Sequence, residues 1–188
     1  MFKAATAVFL AVIGLVNFSP SGLAVAGPTS ETPSGQAKPA SAMPDIRYEL
    51  SKQPLHLHPG GSSNEATAKN FPISQGLAGG SMYLKPGGLR ELHWHVNAAE
   101  WAYVISGTCR VTVIDPEGHA EIKDFGPGDV WYFPRGHGHS IQGTGKEECH
   151  FILVFDNGYF SEFATFSLSD WFAQTPSEVL AKNFGIDQ

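Results

Sequence analysis

The sequence is short of several things, and each shortage narrows what the protein can be. It carries no run or stripe of Lys and Arg, and its formal charge is −6, so no nucleic-acid partner is expected. Long apolar periodic helices are scarce while glycine (21) and proline (13) are frequent, which leans toward strands joined by tight turns. Cysteine is used only twice. Cys109 and Cys149 each open an apolar run, and antiparallel pairing of those two runs would set the cysteines at opposite ends of a ladder. Two buried free thiols are therefore expected.

The long hydrophobic run that a membrane span needs is also missing. The mostly apolar stretch Ala4–Phe18 is too short for a comfortable crossing. Lys3 precedes it and the small-residue site Ala24-Val25-Ala26 follows it, the layout of a secretory signal peptide over residues 1–26. The expectation is an exported protein, secreted or periplasmic, with no stable membrane span after cleavage. Residues 27–46 are rich in Pro, Ser, Ala and Gly with little to bury, and read as a flexible linker.

From residue 47 to 188 the texture changes to a single domain. Short β-branched and aromatic runs (SMYLK, EWAYVIS, CRVTVID, VWYFP, HSIQ, HFILVF) alternate with glycine-rich turns. Asp115-Pro116-Glu117-Gly118 is a proline-initiated, glycine-closed turn between two of them. This spacing predicts an all-β sandwich or barrel. A helical extension is expected from about residue 168. Ser169-Asp170-Trp171-Phe172 would open a first helical turn. Thr175 would cap a second helix, with Pro176 at its first position, Glu178 at its third and Gly185 at its close.

The densest chemistry lies in residues 87–107, GGLRELHWHVNAAEWAYVISG. His93 and His95 are two apart, so on a strand both imidazoles face one side. Glu100 sits at odd separation, so Val96–Ala99 must form a bulge or loop that resets the register. Downstream, GDVWYFPRGHGHSIQ offers His139, or its neighbour His137, as a further donor. Three imidazoles and a carboxylate form a mixed N/O site for a first-row divalent ion. A second pair, His56-Leu57-His58, has no carboxylate at useful spacing and reads as ordinary side chains.

These spacings resemble the cupin family. Gly87, His93, His95, Glu100 and Gly107 match its first motif, and Gly128, Pro134, Gly136 and His139 match its second, with Gly143 in the place of the usual Asn. The resemblance implies an antiparallel double-sheet jelly-roll barrel and selects His139 over His137 as the fourth ligand. RELHWH, EWAYVISG, GDVWYFPRG, HSIQ, LVFDNG, SEFATF and DWFAQTPSEVLAKNFG further resemble the N-terminal half of two-domain oxalate decarboxylases.

That narrower resemblance implies Mn(II) on His93, His95, Glu100 and His139, with O2 as co-catalyst and oxalate as the small dicarboxylate substrate. Arg90 would bind the substrate carboxylate. Glu162 would be the proton-handling acid of a lid, Ser161–Thr165, in which Phe163 and Ala164 replace a polar pair of the family. Trp94 and Trp131 read as core or interface aromatics. The resemblance adds a sharper idea for Trp94, electron transfer between metal centres across a subunit contact. A homo-oligomer is expected, because the C-terminal helices carry apolar faces. The altered lid keeps two other readings open. One is an oxalate oxidase or germin-like enzyme that releases peroxide, and the other a non-catalytic secreted metal-binding cupin.

Overall fold

A computed structural model describes residues 44–186. The expected leader and nearly all of the linker lie outside the described residues. The eleven strands are β1 His56–His58, β2 Gly61–Ala66, β3 Ala78–Leu84, β4 Leu89–Trp94, β5 Glu100–Ser106, β6 Cys109–Ile114, β7 Ala120–Phe125, β8 Val130–Phe133, β9 Gly138–Gly143, β10 Cys149–Phe155 and β11 Phe166–Ser167. Two helices follow, α1 Leu168–Gln174 and α2 Ser177–Phe184.

Every strand pairing is antiparallel, in two sheets ordered β1-β2-β3-β10-β5-β8 and β11-β4-β9-β6-β7. This is the expected double-sheet jelly roll, although the two ladders stay separate and do not close into one hydrogen-bonded barrel.

The core follows from period-2 alternation. In β10 the inward residues are Cys149, Phe151, Leu153 and Phe155; in β3 they include Met82 and Leu84; in β5, Ala102 and Val104. Trp131 and Phe133 of β8 join them, and Val111 and Ile141 answer from the other sheet. Burying each large apolar side chain contributes about 1.5–3 kcal/mol. Glu100 occupies the same inward register as Ala102 and Val104, so its carboxylate points into that interior.

The turn after β6 forms as expected, with the Gly118 N–H donating to the Asp115 carbonyl at 3.0 Å. The cysteines are free and buried as expected, but they do not lie at opposite ends of one ladder. β6 and β10 do not pair; they belong to opposite sheets, and Cys109 and Cys149 are neighbours in the core between them.

The Thr175 cap is also corrected. Its hydroxyl donates to the Trp171 carbonyl at 2.6 Å, because α1 ends immediately before α2 begins and the hydroxyl lies over the last turn of α1. Pro176 takes the cap position of α2. At the start of α1, Ser167 Oγ accepts from the Asp170 N–H at 3.1 Å, and Gly185 closes α2 in the left-handed region at φ 64°.

Candidate metal centre and lid

The site forms where the two sheets meet at one end. His93 on β4 and His139 on β9 are direct cross-strand partners. His95 lies just past the end of β4, and its ring sits 4.8 Å from that of His139, centroid to centroid. Glu100 comes from the opposite sheet, at the start of β5 and in register with Phe133 and Phe155. The required change of register is therefore a crossing from one sheet to the other through residues 95–99. Asp156 holds that crossing by accepting from the Ala99 N–H at 2.8 Å. Together with an ion pair to Arg135, that bond holds Asp156 below the usual carboxylate range.

The donors converge. Glu100 Oε2 lies 3.7 Å from His95 Nδ1 and 3.7 Å from His139 Nε2. His93 Nδ1–H donates to the Glu91 carbonyl at 2.6 Å, and His139 Nδ1–H to the His137 carbonyl at 2.9 Å. Each of these bonds fixes the tautomer and leaves Nε2 unprotonated, facing the site. His93 Nε2, His139 Nε2 and both ring nitrogens of His95 are buried without a hydrogen-bond partner. Orphaned polar atoms in such number are costly unless something else binds them.

The titration behaviour points the same way. Burial, helped by the Arg90 charge, lowers His93 to about 4, and burial takes His139 well below its usual value, so both rings are neutral near pH 7. Burial and the neighbouring Glu162 charge raise Glu100 to about 8. A buried carboxyl group that cannot readily ionise, beside neutral imidazoles, lacks a cation. His93, His95, His139 and Glu100 therefore fit a divalent ion, on the chemistry of their donors and on their orphaned atoms. Trp131 Nε1–H donates to Glu100 Oε1 at 2.8 Å and orients it. Trp131 is a core aromatic, as expected, and it also acts on the site.

His137 lies outside this cluster, its side chain turned to the Arg135 carbonyl. His56 and His58 are exposed on edge strand β1 and also lie outside it. Trp94 stacks on Phe166 and meets Trp171 edge-on, at centroid distances of 5.5 and 5.9 Å, so within the chain it packs under β11 and α1.

Over the imidazoles lies the segment Ser161–Thr165. Glu162 is buried, with Oε2 at 3.3 Å from His95 Nε2 and Oε1 at 3.6 Å from His93 Nε2. Arg90 reaches it from β4: Nε donates to Glu162 Oε1 at 2.7 Å, while Nη2 donates to Thr165 Oγ1 at 2.8 Å and to the Glu162 carbonyl at 3.3 Å. Burial pushes the Glu162 carboxyl up, but the His95 ring and the Arg90 charge outweigh it and hold the group at about 2. Its carboxylate thus occupies a position between a guanidinium and the imidazoles that suits a small carboxylate ligand. On the outer side, a cavity of about 780 Å³ reaches Arg90, Glu162 and Phe163 past His56, Tyr83 and Lys85.

Two lid contacts escaped sequence reasoning. Glu65 on β2 accepts from Ser161 Oγ at 2.9 Å and from the Glu162 N–H at 3.0 Å. Burial raises its pKa. Phe163 stacks on His56 with ring centroids 3.9 Å apart. Neither residue carried a signal, because the partners lie about a hundred positions apart in the chain. Phe163 thus rests on an aromatic platform, the His56 ring.

Two facing antiparallel sheets enclosing an HxH pair, a carboxylate and a third histidine define the class, and residues 49–188 match the sequence model of that family: the chain belongs to the cupins. Within the family it is similar to the oxalate decarboxylase OxdC of Bacillus subtilis, 51% identical over 142 residues, which are 76% of this chain and 36% of that protein. A probable oxalate decarboxylase of Arthroderma benhamiae is 37% identical over 145 residues, 77% of this chain and 35% of that one. In three dimensions it superposes on a structure of Bacillus subtilis oxalate decarboxylase determined in a study of its Mn(II) centres. The TM-score is 0.75 at 48% identity, covering 78% of this chain and 38% of the other. The matched region is the N-terminal half of the two-cupin enzyme. The chain thus spans little more than a third of the length of these relatives.

Proposed function

We propose that the protein is a manganese-dependent oxalate decarboxylase, converting oxalate to formate and CO2 in a reaction that requires O2. The observation that carries this reading is the Glu162 carboxylate, gripped by Arg90 and set 3.3 Å from His95 Nε2. A group that binds there is a carboxylate, and a group that must move to admit it is an acid on a hinged segment.

His93, His95, His139 and Glu100 would hold the metal. Bound there, manganese with dioxygen would supply the one-electron chemistry that loosens the oxalate C–C bond. The chain's own residues do the rest. Arg90 exchanges its bond to Glu162 for one to the substrate carboxylate, a charge-assisted pairing suited to a dianion. Glu162 Oε accepts the proton of hydrogen oxalate and, after CO2 departs, returns it to the remaining carbon to give formate. Glu65 holds the lid backbone through Ser161 and Glu162 while water is excluded.

The same reading places the mature protein outside the cytoplasm, supported by the apolar run and small-residue site at its start; N-terminal sequencing of exported protein checks it. It also includes a homo-oligomer, supported by exposed Trp171, Val179 and Phe184 and checked by light scattering.

The test is incubation of the manganese-loaded protein with oxalate in air at mildly acidic pH, measuring formate, CO2 and peroxide together. Formate dominant in the wild type and lost in Glu162→Gln establishes the decarboxylase. Peroxide in place of formate moves the assignment to an oxidase, the reading that Phe163 and Ala164 favour. No turnover with metal bound leaves a metal-binding cupin without this activity.

A further inference from the structure

We propose that Cys109 and Cys149 close a disulfide during folding that staples the two sheets together. This rests on neither the metal nor the substrate. Cys109 begins β6 in one sheet and Cys149 begins β10 in the other, and both belong to the same core cluster. Both side chains are 0% exposed and free. Their side chains are neighbours across the core.

The backbone around them is equally close. Gly107, two residues before Cys109, passes so near β10 that a methyl group on it would lie 2.7 Å from Cys149 Cα. On the far side, Cys109 is in register with Gly143, and a methyl group there would lie 3.2 Å from the carbonyl oxygen of Leu84, the register partner of Cys149. Both cysteines therefore sit where the two sheets converge at one end. A bond of about 2.05 Å between the two sulfurs then asks only for a local adjustment of this end of the core.

The oxidant is an exchangeable disulfide. The Cys149 thiolate attacks one of its sulfurs and releases a thiolate. The Cys109 thiolate then attacks Cys149 Sγ and releases the second. Two electrons pass to the oxidant, and the two thiol protons pass to the leaving thiolates. Because both sulfurs are closed to solvent in the folded state, this exchange takes place before the sheets finish docking. The finished bond is then sealed against reductants.

The experiment is refolding of the full chain from a reduced, denatured state in a mixture of oxidised and reduced glutathione, then denaturation, alkylation with iodoacetamide and intact-mass measurement. The expected product carries no label, is about 2 Da lighter than the reduced chain, and melts on the order of 10 °C higher than chain refolded under dithiothreitol. Cys149→Ala shows no such rise. Two labelled thiols per chain, or a link formed between chains and not within one, would overturn the proposal. If Cys149→Ala does not fold, the wild-type mass decides alone.

Discussion

Replacing Trp131 by Phe removes one atom's worth of chemistry from the site and keeps an aromatic ring in the core. Trp131 Nε1 donates to Glu100 Oε1 at 2.8 Å, and Trp131 and Glu100 are 5% and 1% exposed. No water can replace the lost donor easily in such a place. A hydrogen bond to a buried charged group is worth about 1.5–3 kcal/mol, and partners that orient a metal ligand typically cost 10–100-fold in affinity when removed. The two figures agree, since tenfold is about 1.4 kcal/mol. Trp131→Phe is therefore expected to weaken manganese binding by roughly 10–100-fold, read by chelator competition. Packing is controlled by Phe125→Leu, which alters a ring 5.3 Å from Trp131 but leaves the donor in place; its affinity should stay near wild type. A folded Trp131→Phe protein that binds manganese within about threefold of wild type would refute the orienting role.

Three other outcomes follow from the same geometry. Phe163→Ala removes the stack on His56, worth about 0.5–1.5 kcal/mol, and should raise the open population of the lid roughly 2- to 12-fold; hydrogen exchange over residues 161–165 should speed up accordingly. Gly143→Ala places a methyl group 2.5 Å from the Lys85 carbonyl oxygen. It should cost about 1–3 kcal/mol in urea unfolding, and a neutral result would mean the two strands can separate freely. The metal-free protein should lose stability as pH rises from about 6.5 to about 8, where Glu100 is protonated in the fold and ionised when unfolded while His93 and His139 are neutral in both states. Urea titrations at both ends of the window measure the slope, which Glu100→Gln should flatten.

Much of the site was legible because its information is local. His93 and His95 face one way because strand side chains alternate, and the glycine and proline spacing around His139 marks the turn that delivers it. The hairpin at Asp115–Gly118 and the end of α2 at Gly185 were readable for the same reason: each depends on φ preferences of one or two residues. Gly143 looked like a departure from the family motif. Its cause emerged only when the structure brought its backbone against Lys85.

What depends on which sheet a strand joins was not legible. Cys109 and Cys149 open two apolar strands that were expected to pair, whereas the assignment of those strands to opposite sheets turned separated thiols into neighbours in one core. Glu65 reaches Ser161 across 96 residues, and His56 reaches Phe163 across more, with no periodicity linking them. The sequence by itself determined the strands, the turns and the identity of the donor atoms, because those follow from steric preferences within a few residues. The tertiary structure alone decided which buried groups meet, because closing a long loop depends on the packing of the whole core and leaves no short-range trace in the chain.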